Sequence, residues 1–195
     1  MLISVIFTTY NSPLWLEKVL WGFDAQTDQQ FEIVIADDGS REDTRQLIDR
    51  FASATDRPIQ HIWQEDNGFQ KCRILNKAIV AARGDYLILT DGDCIPRKDF
   101  VSVHRANAEP RCFLSGGYFK LPMGTSQSIT REDVESGRCF SKAWLLDQGM
   151  PRKTNFMKLT VKPWAEYWFN RFTPTKSTWN GHNASGWKSD AIIVN

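Results

Sequence analysis

Asp91 and Asp93 are two carboxylates separated by one glycine. That spacing lets both reach a single hard divalent cation, and Gly92 leaves the backbone open to a ligand. Magnesium or manganese suits such a pair, with substrate phosphates completing the shell. Turns use the same residue types, so Asp-Gly-Asp alone is also the signature of a chain reversal. A second acidic pair, Asp37-Asp38, reads either as the cap-rich start of a helix or as part of the same site. Two such pairs brought together repel, unless a cation or hydrogen-bond donors compensate. A metal with a bound nucleotide supplies both.

These residues need a scaffold that brings distant chain segments to one edge. Leu2–Phe7 and Phe31–Ala36 are short apolar runs rich in β-branched residues, and read as buried strands. Ile59–Trp63 and Tyr86–Leu89 read as a third and fourth strand. Helices fall between them. Ser12-Pro13 starts one, with Leu14, Leu16, Val19, Leu20 and Phe23 on its apolar face. Ser40 with Asp43 resembles a capping box opening a second, which carries Leu47, Ile48 and Phe51. The Asn67-Gly68 turn precedes a third over Gln70–Ala82, and Gly84 follows its end. Beyond these, the pattern suggests a helix over Arg97–Ala108, a strand over Cys112–Phe119 interrupted by Gly116-Gly117, and one helix over 131–147. Strand–helix alternation implies an α/β fold, a parallel sheet covered by helices. Ligands bind such sheets beyond the carboxyl ends of the strands. Thr8-Thr9-Tyr10-Asn11, Asp37-Asp38 and Asp91-Gly92-Asp93 all lie at those ends.

The chain has 195 residues and a net charge of +1, which is unevenly spread. Residues 1–119 carry a net −4 and residues 120–195 a net +5. An acidic front over 1–119 and a basic, aromatic back over 120–195 suggest two tasks within one fold. Five of the eight tryptophans follow residue 140. Aromatic faces stack on sugar rings. The basic, aromatic run Lys158–Phe172 therefore reads as packing over the sheet, as an acceptor site, or as contact with an anionic membrane surface. Near-neutral charge and the lack of a recognisable module argue against nucleic acid. No apolar run reaches the length of a membrane span. The N-terminus lacks signal-peptide features, and the four cysteines form no CxxC pair, which together suggest reduced thiols in a cytoplasmic protein.

Taken in order, SVIFTTYN (4–11), EIVIADDGS (32–40), QEDNGFQKCRILNKAI (64–79), GDYLILTDGDCIP (84–96) and WNGHNASGWKSD (179–190) resemble the inverting family 2 glycosyltransferases. The resemblance implies the GT-A fold, a mostly parallel sheet flanked by helices. It also implies a nucleotide-sugar donor, a UDP-sugar first, and a Mn2+ or Mg2+ cofactor. Carried over, Thr8 and Tyr10 border the nucleoside, and Asp38 accepts a hydrogen bond from the base. Arg73 lies near the base or diphosphate. Asp91 faces ribose or metal-bound water, and Asp93 ligates the metal. In some related enzymes a late His completes the metal site, which nominates His182; a lone His is also a common structural residue.

The reaction so implied is attack by an acceptor hydroxyl on the anomeric carbon, with inversion and departure of the nucleoside diphosphate. The acceptor is a glycan or a lipid-linked saccharide, at the inner face of the membrane if the enzyme is peripheral. Family members continue past a segment like SDAIIVN into an acidic patch that supplies the general base. The resemblance therefore places the base beyond Asn195 and makes this chain a fragment with donor binding but little transfer activity. Asp147, Glu166 and Asp190 match no motif. Two other functions compete. A sugar-phosphate nucleotidyltransferase would use similar acids but a Gly-rich basic first loop, and Thr8–Pro13 has neither feature. A non-catalytic nucleotide-binding module would need no base.

Overall fold

The computed structural model describes residues 1–152, 156, 159 and 178–193. The basic run 158–172 lies, Leu159 apart, outside them. Strand β1 (Ile3–Thr9) leads through helix α1 (Pro13–Asp24) to β2 (Phe31–Asp37). Helix α2 (Glu42–Ser53) then leads to β3 (Ile59–Trp63), and α3 (Lys71–Ala81) to β4 (Tyr86–Asp91). The four strands pair in parallel in the order β3-β2-β1-β4. Two further strands, β5 (Leu114–Ser115) and β6 (Asn183–Trp187), extend the β4 edge, and β6 runs antiparallel to β4.

Alternation along each strand divides the core between two faces. Ile3, Val5 and Phe7 of β1 pack with Ile33, Ile35 and Ile88 against α1 and α2. Ile6, Val34, Ala36, Leu87 and Leu89 face the other way, against Ile74, Ala78 and Ile79 of α3. Each such buried aliphatic side chain contributes about 1.5–3 kcal/mol relative to exposure. Right-handed crossovers explain the division. The chain steps outward from β1 to β2 to β3 with helices on one face. It then returns across the sheet to β4 with α3 on the other. The direction of travel thus reverses between β1 and β4, the crevice where sheets of this kind take ligands.

The opposite edge is closed by a buried polar knot. Glu32 accepts hydrogen bonds from the Ser4 hydroxyl, the Gln60 amide and the Arg83 N–H. The later residues pack on the outside of α1. Ile129, Val134 and Cys139 cluster with Trp21, Ile95 and Trp144, and the buried Lys18 ammonium donates to the carbonyls of Gln127 and Ile129.

Several local expectations change. Ser40 does not cap α2: Arg41 precedes that helix with no side-chain cap, and the Ser40 hydroxyl accepts from Asn11 N–H. The Ser12 hydroxyl likewise donates to the Tyr10 carbonyl instead of capping α1. The capping box lies at Thr130 and Asp133, opening α6 (Arg131–Ser136), which follows the short α5 (Met123–Ser128). The expected single helix over 131–147 is three pieces: α6, a 3-10 turn over Arg138–Phe140, and α7 (Lys142–Asp147). Gly137, at φ 77°, breaks it in a left-handed conformation suited to glycine. The helix expected over Arg97–Ala108 is α4, Phe100–Ala106. The strand expected over Cys112–Phe119 pairs only at Leu114–Ser115, because Asn180 and Asn183 side chains then bond the Gly116 and Gly117 carbonyls.

Candidate active site

The three polar strand ends meet where the sheet reverses. Thr8 is in register with Asp91, and Thr9 with Asp37. Backbone bonds continue the pairing past the strands: Gly92 N–H donates to the Thr8 carbonyl at 3.0 Å, Asp38 N–H to Thr9 at 3.1 Å, and Gln64 N–H to Asp37 at 3.2 Å. A Cβ at residue 92 would lie 2.5 Å from the Thr8 carbonyl oxygen. Gly92 therefore serves close strand-to-strand approach, a tighter constraint than the ligand access read from the sequence. Gly116 similarly makes room for the Asn183 side chain.

Asp91, Asp93 and Cys94 offer ligand atoms that all lie within 4.8 Å of one another. Asp93 is exposed, and among the described residues its carboxylate receives only the weak thiol donor of Cys94, at 3.6 Å. Burial and the charges of Asp93 and Asp91 push the Cys94 thiol up to about 12. Two carboxylates at an open edge match the oxygen preference of Mg2+ or Mn2+, and a protonated thiol adds little to such a shell. The donor set therefore fits the implied cation. Lys71, the first residue of α3, places its ammonium 2.7 Å from Asp91 Oδ1. The sequence reading missed it.

The other acidic pair is compensated by the protein itself. Asp37 is fully buried; Ser40 N–H donates to its Oδ1 and His61 Nε2 lies 2.9 Å from its Oδ2. Asp38 accepts from the Gln64 amide at 2.6 Å and from Gln70 N–H at 2.8 Å. Gln70 precedes α3, so Asp38 anchors the start of the helix that carries Lys71. Beside it, the Gln64 Oε1 and the Thr9 hydroxyl are buried with no hydrogen-bond partner among the described residues.

Thr8 is half-buried at the reversal, and Tyr10 is half-exposed just beyond it. The Tyr10 hydroxyl donates to Asp66 at 2.8 Å, and that bond with the Asp66 charge holds the phenol above its ordinary value. Arg73 makes no bond to the acids. Its guanidinium is exposed, donates to the Gln70 side chain, and lines a shallow concavity of about 500 Å³ on α3 with Asn76, Lys77 and Val80. Residues two apart point to opposite sides of a helix, which is why Lys71 and not Arg73 reaches Asp91. His182 sits at the correct end of the sheet, its carbonyl accepting from the Thr90 hydroxyl. Its ring packs edge-on against Tyr118, and it is not part of the three-donor group.

Behind the site, His104 bridges Ser185 and Asn183, with Nδ1 at 2.7 Å from Ser185 Oγ and Nε2 at 3.0 Å from Asn183 Oδ1. The Asn183 amide donates to Gly117, so its oxygen must accept, which puts the proton on Nε2. Tyr86 completes the chain at Ser185. Tyr86, Asn183 and Ser185 lie within the motif segments, but the sequence reading gave none of them a role and did not include His104. The network's members are far apart in the chain and meet only through the β4–β6 pairing and α4.

The model for glycosyl transferase family 2 matches residues 4–138, more than half of the chain. The chondroitin synthase of Pasteurella multocida is 30% identical over 184 residues, covering 83% of this chain and 18% of that protein. The validoxylamine A glucosyltransferase of Streptomyces hygroscopicus is 26% identical over 98% of this chain and 50% of its own length. The chain thus spans at most half of these curated relatives. Among solved structures, the glucosyl-3-phosphoglycerate synthase of M. tuberculosis shares the fold, with a TM-score of 0.55 over 96% of this chain and 58% of that one, at 15% identity. A parallel sheet that reverses at β1/β4, an Asp-Gly-Asp at that reversal and a family match across both make this chain a member of glycosyl transferase family 2, with a GT-A fold.

Proposed function

We propose that this chain carries the donor site of an inverting glycosyltransferase that uses a nucleoside-diphosphate sugar, a UDP-sugar first, and Mn2+ or Mg2+. The observation that carries it is the grouping of Asp91 and Asp93 at the tip of β4, against the sheet reversal, with a lysine ammonium beside them. Asp93, open to solvent, would hold the cation, and Asp91 would face the ribose or a metal-bound water. When bound, the cation supplies Lewis-acid neutralisation of charge on the departing diphosphate. Tyr10 and Thr8 border the nucleoside. Asp38 and the unpartnered Gln64 Oε1 are acceptors matched to the N–H of a uracil ring. His182, the residue before β6, is the further candidate ligand for that cation, and its ring packs against Tyr118. The acceptor is a saccharide, free or lipid-linked.

Calorimetric titration with UDP, UDP-sugars, GDP, CMP, and nucleoside triphosphates alongside sugar phosphates, each with and without Mn2+, tests this reading. Metal-dependent UDP binding is expected. Binding of nucleoside triphosphates with sugar phosphates would instead indicate nucleotidyl transfer. Asp93→Ala should abolish metal-dependent UDP binding while leaving the unfolding transition in place, since Asp93 is exposed and, among the described residues, bonded only to Cys94. Normal UDP–Mn2+ binding by that variant would remove Asp93 from the site.

A further inference from the structure

Lys71 is bonded to Asp91, the carboxylate grouped with the proposed cation ligand Asp93. Its Nζ lies 2.7 Å from Asp91 Oδ1, with the two side chains 37% and 30% exposed. The backbone beneath it is held firmly, because Gln70 N–H donates to buried Asp38 and Asp38 is gripped again by Gln64. The ammonium, by contrast, ends a four-carbon stem that reaches solvent. Asp91 is thus already neutralised by a monovalent cation that belongs to the chain.

A dication entering between Asp91 and Asp93 would meet that ammonium within a few ångströms, and like charges this close oppose one another. Two anionic carboxylates cannot satisfy three positive charges. A diphosphate brings the missing negative charge and accepts a lysine ammonium readily.

We propose that Lys71 couples cation and diphosphate binding: before ligands arrive its ammonium lies on Asp91, beside the position Asp93 offers the cation, and it passes to the diphosphate when metal and nucleotide arrive together. This rests on the donor-site reading above and assigns a positioning role that neither the motif nor the family match gives. Each ligand then favours the other, because the nucleotide removes the ammonium that competes with the metal. Linkage requires the coupling to be reciprocal.

The test measures Mn2+ binding by loss of the free-ion paramagnetic resonance signal, with and without UDP, and UDP binding by calorimetry with Mn2+ present. It uses the full chain, Lys71→Met, Lys71→Gln as a second neutral variant, and Lys71→Arg. Removing the charge should tighten Mn2+ binding without UDP and weaken UDP binding with Mn2+, each by about five- to tenfold, within the usual range of site-to-site coupling. Lys71→Arg should keep the wild-type coupling. Chemical unfolding of each variant confirms that it is folded. Neutral variants with unchanged or weaker Mn2+ affinity in the absence of UDP would overturn the proposal, as would unchanged UDP affinity. If the wild-type chain binds Mn2+ and UDP but the variants match it, only the role of Lys71 falls. If the wild type binds neither, the donor-site reading falls with it.

Discussion

Four thiols in this chain differ only in their surroundings. Cys72 and Cys112 are exposed, whereas burial pushes Cys94 and Cys139 up to about 12. The thiolate is the reactive form, so at pH 8 a disulfide reagent should modify two thiols quickly and the other two only on unfolding. Rapid modification of three or four in the folded chain, located by mass spectrometry, would contradict this. The same dependence on surroundings separates Asp37 from Asp38 and Lys71 from Arg73. Asp91 and Asp93 were legible because their spacing is itself the signal. Lys71 was not, because its role depends on how α3 is rotated against β4, which no single residue type records.

At the scale of elements, β1 through β4 and the helices between them follow from local pattern to within a few residues. Their apolar runs are bounded by polar ends, and burial on both faces leaves little choice of conformation. The tight point is Gly92, where the tips of β1 and β4 meet. Gly92→Ala should force those tips apart, destabilise the fold by about 1–3 kcal/mol, and disturb Asp91 and Asp93 together. Urea denaturation and Mn2+–UDP binding measure the two effects. A variant of unchanged stability would show that the strand tips can yield. The second half was harder to read. One left-handed glycine, Gly137, divides what periodicity joined, and the Asn180 and Asn183 side chains end β5 through bonds to residues more than sixty positions away.

Across the whole molecule, the antiparallel β6 completes the network around His104. Burial lowers this imidazole to about 4 from an ordinary 6.5, while its bond to Asn183 opposes the shift in part. The unfolded chain therefore takes up a proton below about pH 6.5 that the folded chain refuses until about pH 4. Stability from this group is complete above pH 6.5 and falls as pH drops through that window, by about 3 kcal/mol in total. Urea unfolding of the wild type and His104→Gln at pH 7 and pH 4 isolates it, since the carboxylates common to both cancel. Equal pH dependence in the two proteins would remove His104 as the cause. No described helix is long and apolar enough to cross a membrane.

The order of polar strand ends along the chain was enough to specify an α/β sheet with an acidic edge. Both rest on short-range information: side-chain alternation within a strand, and two carboxylates one residue apart. Which cation meets Asp91, which acids the protein has already satisfied, and what His182 packs against were decided only in three dimensions. Each depends on contacts between segments far apart in the chain, fixed by the return of β4 beside β1 and of β6 beside β4.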